Sequence, residues 1–280
     1  MIKKTIAKII EYLIPEQIHL YLAKKEEVKR ILTLRQNSKK DEWLSENKDK
    51  HKGERCFILA TGPSLNKVDL SRIEKEYTIG VNSIYKIANE INLDYYIYVS
   101  NWYWKNHVDG IKNLKCDRKF LPVELQENLE SEVPTSWINV LRPKYNSRFG
   151  YPLKVPSFFS KQPDEFFTAG GTVIFLALQL AHYLGFKEAV ILGLDHTYKK
   201  DDYKKKQRGG YIYDTSKIKD AHFDKDYAPE GISVPIDLEA MENAYIMAHN
   251  IFKESGRKVL NASPGTMLEV FPKVGYNKLF

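Results

Sequence analysis

The 280-residue chain carries 43 Lys/Arg against 36 Asp/Glu, with 43% hydrophobic and 12% aromatic residues, enough for a sizeable core and unlike a disordered chain. Residues 1–55 hold 14 Lys/Arg and 9 Asp/Glu, +5 of the net +7, so the remainder is near neutral and carries no nucleic-acid footprint. Two cysteines, Cys56 and Cys116, make neither a disulfide framework nor a zinc site. No apolar run approaches the roughly 20 residues that span a bilayer, and no signal-peptide cleavage pattern opens the chain. The expectation is a cytoplasmic protein.

Met1 to Ile14 is basic and amphipathic, with Ile2, Ile6, Ile9, Ile10 and Leu13 on one face and Lys3, Lys4 and Lys8 nearby. Such a helix suits peripheral contact with the inner membrane face or docking on its own domain or a second copy in a homo-oligomer. A second helical pattern runs through Ile18, Leu22, Val28, Ile31 and Leu32. Residues 36–54 are polar and read as a linker or exposed helix, which divides the chain into an N-terminal region (1–52) and a main domain (53–280). Cys56 to Ala60 is an apolar run ended by Gly62 and Pro63, a buried strand. Ser64 is placed to cap a following helix, and a strand feeding a turn and a helix N-terminus gathers amide donors for a phosphate. Neither a Walker loop nor GxGxxG is present.

Strand and helix signals then alternate. Tyr77 to Asn82, Asp94 to Ser100, Lys119 to Val123 and Trp137 to Leu141 read as strands, with helices over 84–91 and 101–113. Residues 142–167 hold four prolines and read as a long loop. Gly170 to Leu184 is apolar nearly all round, a buried helix closed by Gly185. Lys187 to Leu194 is a core strand, residues 209–235 an irregular lid, Asp237 to Ser255 a helix, Lys258 to Asn261 a strand, and Met267 to Val270 a further strand. This order predicts an α/β, Rossmann-like, mostly parallel sheet with helices on both faces. Ligands of such sheets sit beyond the C-terminal strand ends. Those ends supply the candidate nucleotide-binding residues Thr61, Gly62, Pro63, Ser64, Asn82, Ser100, Thr168, Gly170, Gly171 and Asp195. Asn offers a base edge both donor and acceptor. His222 and Asp226 of AHFDKDY are candidate general bases. Tyr198, Tyr203, Tyr211 and Tyr213 crowd the region after Asp195, and phenol hydroxyls can donate to a leaving phosphate without a metal. Asp224 and Asp226 spell the DxD seen in many metal-dependent sugar transferases, a pattern that arises easily in an acid-rich chain, and no metal site is assigned.

ATGPSL, VNSIY, TAGGT, GLDHTY, HFDKDY and NASPGTMLEVFP together, across roughly residues 53–275, resemble the family of 6-hydroxymethylpterin diphosphokinase MptE-like proteins. The same skeleton is similar to bacterial CMP-sugar-dependent sialyltransferases. That resemblance implies a metal-independent, inverting transfer from a nucleotide-sugar donor to a glycan or lipid-linked acceptor. Thr61, Gly62, Ser64, Asn82, Thr168 and Gly170 would then face CMP, Tyr198 and Tyr203 the leaving phosphate, and His222 or Asp226 would be the base. The pterin-kinase resemblance implies instead ATP, magnesium and diphosphate transfer. A non-catalytic nucleotide-binding protein is the third expectation.

Overall fold

A computed structural model describes residues 39–100, 104–142, 158–197, 222–224 and 238–280, with the backbone of three strands between 203 and 236 and isolated helical positions between Ile18 and Thr33. Seven parallel strands form the main sheet in the order β12-β8-β1-β2-β3-β4-β5. They are β1 (Arg55–Leu59), β2 (Tyr77–Val81), β3 (Tyr95–Ile97), β4 (Arg118–Pro122), β5 (Thr135–Ile138), β8 (Glu188–Leu192) and β12 (Lys258–Asn261). Two short strands, β6 (Val140–Leu141) and β7 (Phe167–Thr168), pair in parallel beside it. The expected α/β sheet is therefore present.

Both faces of this sheet are covered, which is why its strands read as continuous apolar runs. Cys56 and Ile58 of β1 join one core with helices α3 (Val173–Tyr183) and α4 (Leu238–Glu254). Phe57 and Leu59 join the other, with Ile111 of α2 (Trp104–Asn113) and Ile84. Ten of the eleven residues of α3 are buried, among them the amide side chain of Gln179. Its Oε1 accepts from the backbone N–H groups of Thr168 (3.0 Å) and Ser160 (3.2 Å), and its Nε2 donates to the Thr168 carbonyl (2.9 Å). A polar group in so apolar a helix is tolerated only when satisfied in this way.

The structure corrects several sequence expectations. The chain after β1 and β2 forms 3-10 turns, Pro63–Lys67, Leu70–Ile73 and Asn82–Glu90, rather than α-helices. The stretch 36–54, read as a linker or exposed helix, contains the short helix α1 (Glu42–Glu46), capped by Asp41, but is not wholly exposed: fully buried Leu44 packs into the core. His51 is also buried there, bridging Glu54 and the Tyr95 hydroxyl at 2.7 Å each. The run 137–141 is split at Asn139 between β5 and β6. Residues 203–236, read as polar chain and irregular lid, include a three-stranded antiparallel sheet of β9 (Tyr203–Gln207), β10 (Gly210–Tyr213) and β11 (Val234–Ile236). Met267 to Val270 is not a strand; the chain there returns to make one bridge between Asn261 and Lys273. The amphipathic stretch 1–14 lies outside the described residues. Among the described residues no helix is long and apolar enough to cross a membrane.

Candidate functional site

From β1 the strand order runs outward through β2 on one side and through β8 and β12 on the other. The reversal leaves a crevice beyond the carboxyl ends of β1 and β8, where open α/β sheets hold ligands. A cleft lies there. Its floor is Ala60, Thr61 and Gly62 after β1 with Gly193, Leu194 and Asp195 after β8; Val81 and Asn82 form one side. The start of α3 (Thr172, Val173, Ile174), Met241 and Tyr245 of α4, His196 and His222 close it.

The two floor turns are locked together. Gly62 N–H donates to the Gly193 carbonyl at 2.8 Å, a contact so close that a Cβ on Gly62 would fall 2.8 Å from the Asp195 carboxyl carbon. Ser64 donates both its backbone N–H (2.8 Å) and its hydroxyl to the Asp195 carboxylate, and both residues are buried. This overturns two expectations. Ser64 does not cap an α-helix, and the first turn is not an open phosphate cradle: its Ser64 N–H is taken by the Asp195 carboxylate and its Gly62 N–H by the Gly193 carbonyl. The Asp195 carbonyl in turn accepts from Met267 N–H at 2.8 Å. Leu194 is held by Ser263, whose hydroxyl accepts from its N–H (2.8 Å), and by Thr266, which donates to its carbonyl (2.7 Å). The NASPGT motif is thus a clamp that fixes the end of β8.

Of the residues that open the buried helix, Thr172 lines the cleft. Thr172 caps α3, its hydroxyl accepting from Ile174 N–H (3.3 Å) and from the Tyr245 hydroxyl (3.2 Å). The positive end of an 11-residue, largely buried helix therefore faces the cleft. Asn82 (φ 49°) and His196 (φ 54°) are both left-handed and line the cleft. Backbone in this conformation collects at ligand sites. His196 Nε2 meets Glu242 Oε1 at 3.0 Å.

His222 is half-buried over the end of β1, its Nδ1 3.1 Å from the Thr61 hydroxyl. Phe223 N–H donates to the Thr61 carbonyl at 2.8 Å. Burial pushes the imidazole down to about 4, against the opposing pull of Asp224, so it is neutral at pH 7. Asp224 is buried and pairs with Lys86 at 2.5 Å rather than standing ready for a cation.

Of the sequence-derived residues, Thr61, Gly62, Asn82 and Asp195 line the cleft, joined by His222. Pro63 begins the turn behind it, ahead of Ser64. Thr168, expected at a nucleotide, instead spends its hydroxyl on the Phe158 carbonyl and Gln179 and lies buried. Gly170, also expected there, serves packing: a Cβ would meet Ala244 at 2.5 Å and Phe175 at 2.6 Å. Gly171 (φ 75°) turns the chain into Thr172 without lining the cleft. Ser100 follows β3, on the far side of β2 from the cleft floor. Tyr198 and Asp226 lie outside the described residues, and of Tyr203 only the backbone, in β9, is described. Tyr245 and Met241 were missed; their signal is the i, i+4 spacing on the buried face of α4. Among the described residues no three His, Cys, Asp or Glu side chains group as metal ligands.

The model of the family described as 6-hydroxymethylpterin diphosphokinase MptE-like matches residues 28–201. No curated protein matches the chain in sequence. Among solved structures, the chain is similar to the sialyltransferase CstII from Campylobacter jejuni in complex with a substrate analogue, cytidine-5'-monophosphate. The identity is 13%, the coverage 78% of this chain and 84% of that one, and the TM-score 0.35.

Proposed function

Because the chain belongs to the family of 6-hydroxymethylpterin diphosphokinase MptE-like proteins, we propose that it is a nucleotide-dependent transferase and that it moves a sugar from a CMP-type donor to a glycan or lipid-linked acceptor. The observation that carries this reading is the neutral His222 imidazole held by Thr61 over the switch-point cleft. A neutral imidazole accepts the proton of an acceptor hydroxyl. The hydroxyl oxygen then bonds to the anomeric carbon, and the bond from that carbon to the phosphate oxygen breaks. CMP departs with the electron pair. Its phosphate is drawn to the amino end of α3, since the first-turn amides of Gly62 and Ser64 already donate to Gly193 and Asp195. The negative charge of the bound donor raises the proton affinity of His222 towards the range a base needs. Asn82 is assigned to the base edge, and Tyr198 and Tyr203 to the leaving phosphate, with Asp226 the rival base. A lipid-linked acceptor suits a basic N-terminal stretch resting on the inner membrane face.

The family's description favours a second reading, diphosphate transfer from ATP with magnesium. Among the described residues the cleft offers one carboxylate, Asp195, and both its oxygens already accept from Ser64. That donor set is poor for magnesium, which is held by carboxylates free to coordinate it. Calorimetry with CMP, CDP, UDP and ATP, each with and without magnesium, separates the readings. CMP binding indifferent to magnesium supports sugar transfer. ATP binding that requires magnesium overturns it in favour of diphosphate transfer. His222→Ala is expected to keep CMP affinity within about threefold while transfer falls at least about 100-fold; unchanged transfer removes His222 from the mechanism.

A further inference from the structure

We propose that Lys86 and Asp224 form a positioning pair that fixes the His222 imidazole against the end of β1, a role that rests on reading His222 as the base. The segment 222–224 is held at three consecutive residues, two by the turn after β1 and one by the 3-10 turn after β2. His222 Nδ1 lies 3.1 Å from the Thr61 hydroxyl, Phe223 N–H donates to the Thr61 carbonyl at 2.8 Å, and Asp224 Oδ1 lies 2.5 Å from Lys86 Nζ. The Phe223 side chain packs against the core on that face of the sheet. Lys86 belongs to the 3-10 turn Asn82–Glu90, whose first residue lines the cleft. The pair therefore joins the residue that takes the proton to the element that carries Asn82.

Burial tells which partner depends on the other. The Asp224 side chain is 4% exposed and that of Lys86 38%. A desolvated carboxylate is costly without a counter-charge, whereas a half-exposed ammonium is content in water. Loss of Lys86 removes a counter-charge from this buried carboxylate and loosens the segment that carries His222, two residues away. Among the described residues, the charged and titratable groups around His222 include Asp224, His107 and, behind them, Lys86 and Tyr85, whose hydroxyl meets His107 Nδ1 at 2.7 Å.

The test is amide exchange at Phe223 and NMR titration of His222 in the full chain, for the wild type, Lys86→Met, Lys86→Arg and Asp224→Asn. Lys86→Met is expected to speed Phe223 exchange at least about tenfold while the central-strand amides of Leu59 and Ile191 keep their rates. Lys86→Arg preserves the charge and keeps the wild-type rate. The His222 titration moves up in Lys86→Met, which loses a cation, and down in Asp224→Asn, which loses an anion. Wild-type exchange at Phe223 in Lys86→Met, or a His222 titration that neither variant moves, overturns the pair. Neither readout needs a substrate. If exchange accelerates in Lys86→Met while sugar transfer is undiminished, the pair stands and His222 as base falls.

Discussion

Gly62→Ala tests the junction on which the cleft floor depends. The added Cβ would lie 2.8 Å from the Asp195 carboxyl carbon and closer still to the Gly193 carbonyl oxygen, where real Cβ atoms essentially never come within 3.0 Å. The oxygen is main chain and cannot swing aside, so the turns after β1 and β8 must separate. Overpacking of this kind costs about 1–3 kcal/mol. The stretched Gly62 N–H to Gly193 bond adds about 0.5–1.5 kcal/mol. Together they come to about 2–4 kcal/mol, a fall in Tm on the order of 5–10 °C for a chain of this size. Gly256→Ala is the control. Gly256 is left-handed (φ 69°) with nothing within 4 Å of its would-be Cβ, so it pays only for conformation, about 1 kcal/mol. Urea unfolding followed by circular dichroism gives both values, and calorimetry with CMP gives the effect on the cleft. A Gly62→Ala protein no less stable than Gly256→Ala refutes the close lock between the two turns.

Gln179→Leu leaves the buried N–H groups of Ser160 and Thr168 without their acceptor and should cost about 2–4 kcal/mol in urea unfolding; a loss under about 1 kcal/mol would show that the amide is dispensable. Acid should weaken the fold. Burial holds His182 and His222 down at about 4 against a usual 6.5, so between those values the unfolded chain binds protons that the native one refuses. Stability is therefore whole above about pH 6.5 and declines as pH falls towards 4, on the order of 1 kcal/mol per histidine after discounting for partial exposure. Asp94, raised by burial, acts in the opposite sense. A flat profile between pH 7 and 4.5, or a slope that His182→Gln leaves unchanged, would refute this account.

What the sequence showed plainly was burial on both sides. The runs of β1, β8 and α3 admit few alternatives, because nothing but a covered strand or helix is so uniformly apolar. What it concealed depends on partners distant along the chain. Nothing local marks 63–67 as a 3-10 turn, nor says that Ser64 will donate to a carboxylate 131 residues away. Thr168 and Gly170 looked like ligand residues because small polar residues before a helix serve caps, packing and phosphates alike. Only Gln179 and Ala244, supplied by other elements, decide between these uses. Lys86 gave no signal, since an exposed-looking lysine is distinguished only by the buried acid that meets it.

Arg55 faces Glu188 across the β1–β8 ladder, while the opposite side of β1 is taken by β2 soon after synthesis. A ribosome adding roughly 5–20 residues per second leaves the β8 side of β1 bare for on the order of ten seconds. During that time a largely apolar strand of the nascent chain offers an open edge to any other strand it meets. The cleft does not exist until β8 arrives, so ligand cannot shelter the growing chain. Substitutions that weaken β8 will therefore announce themselves as chaperone dependence and insoluble product before any change in affinity can be measured.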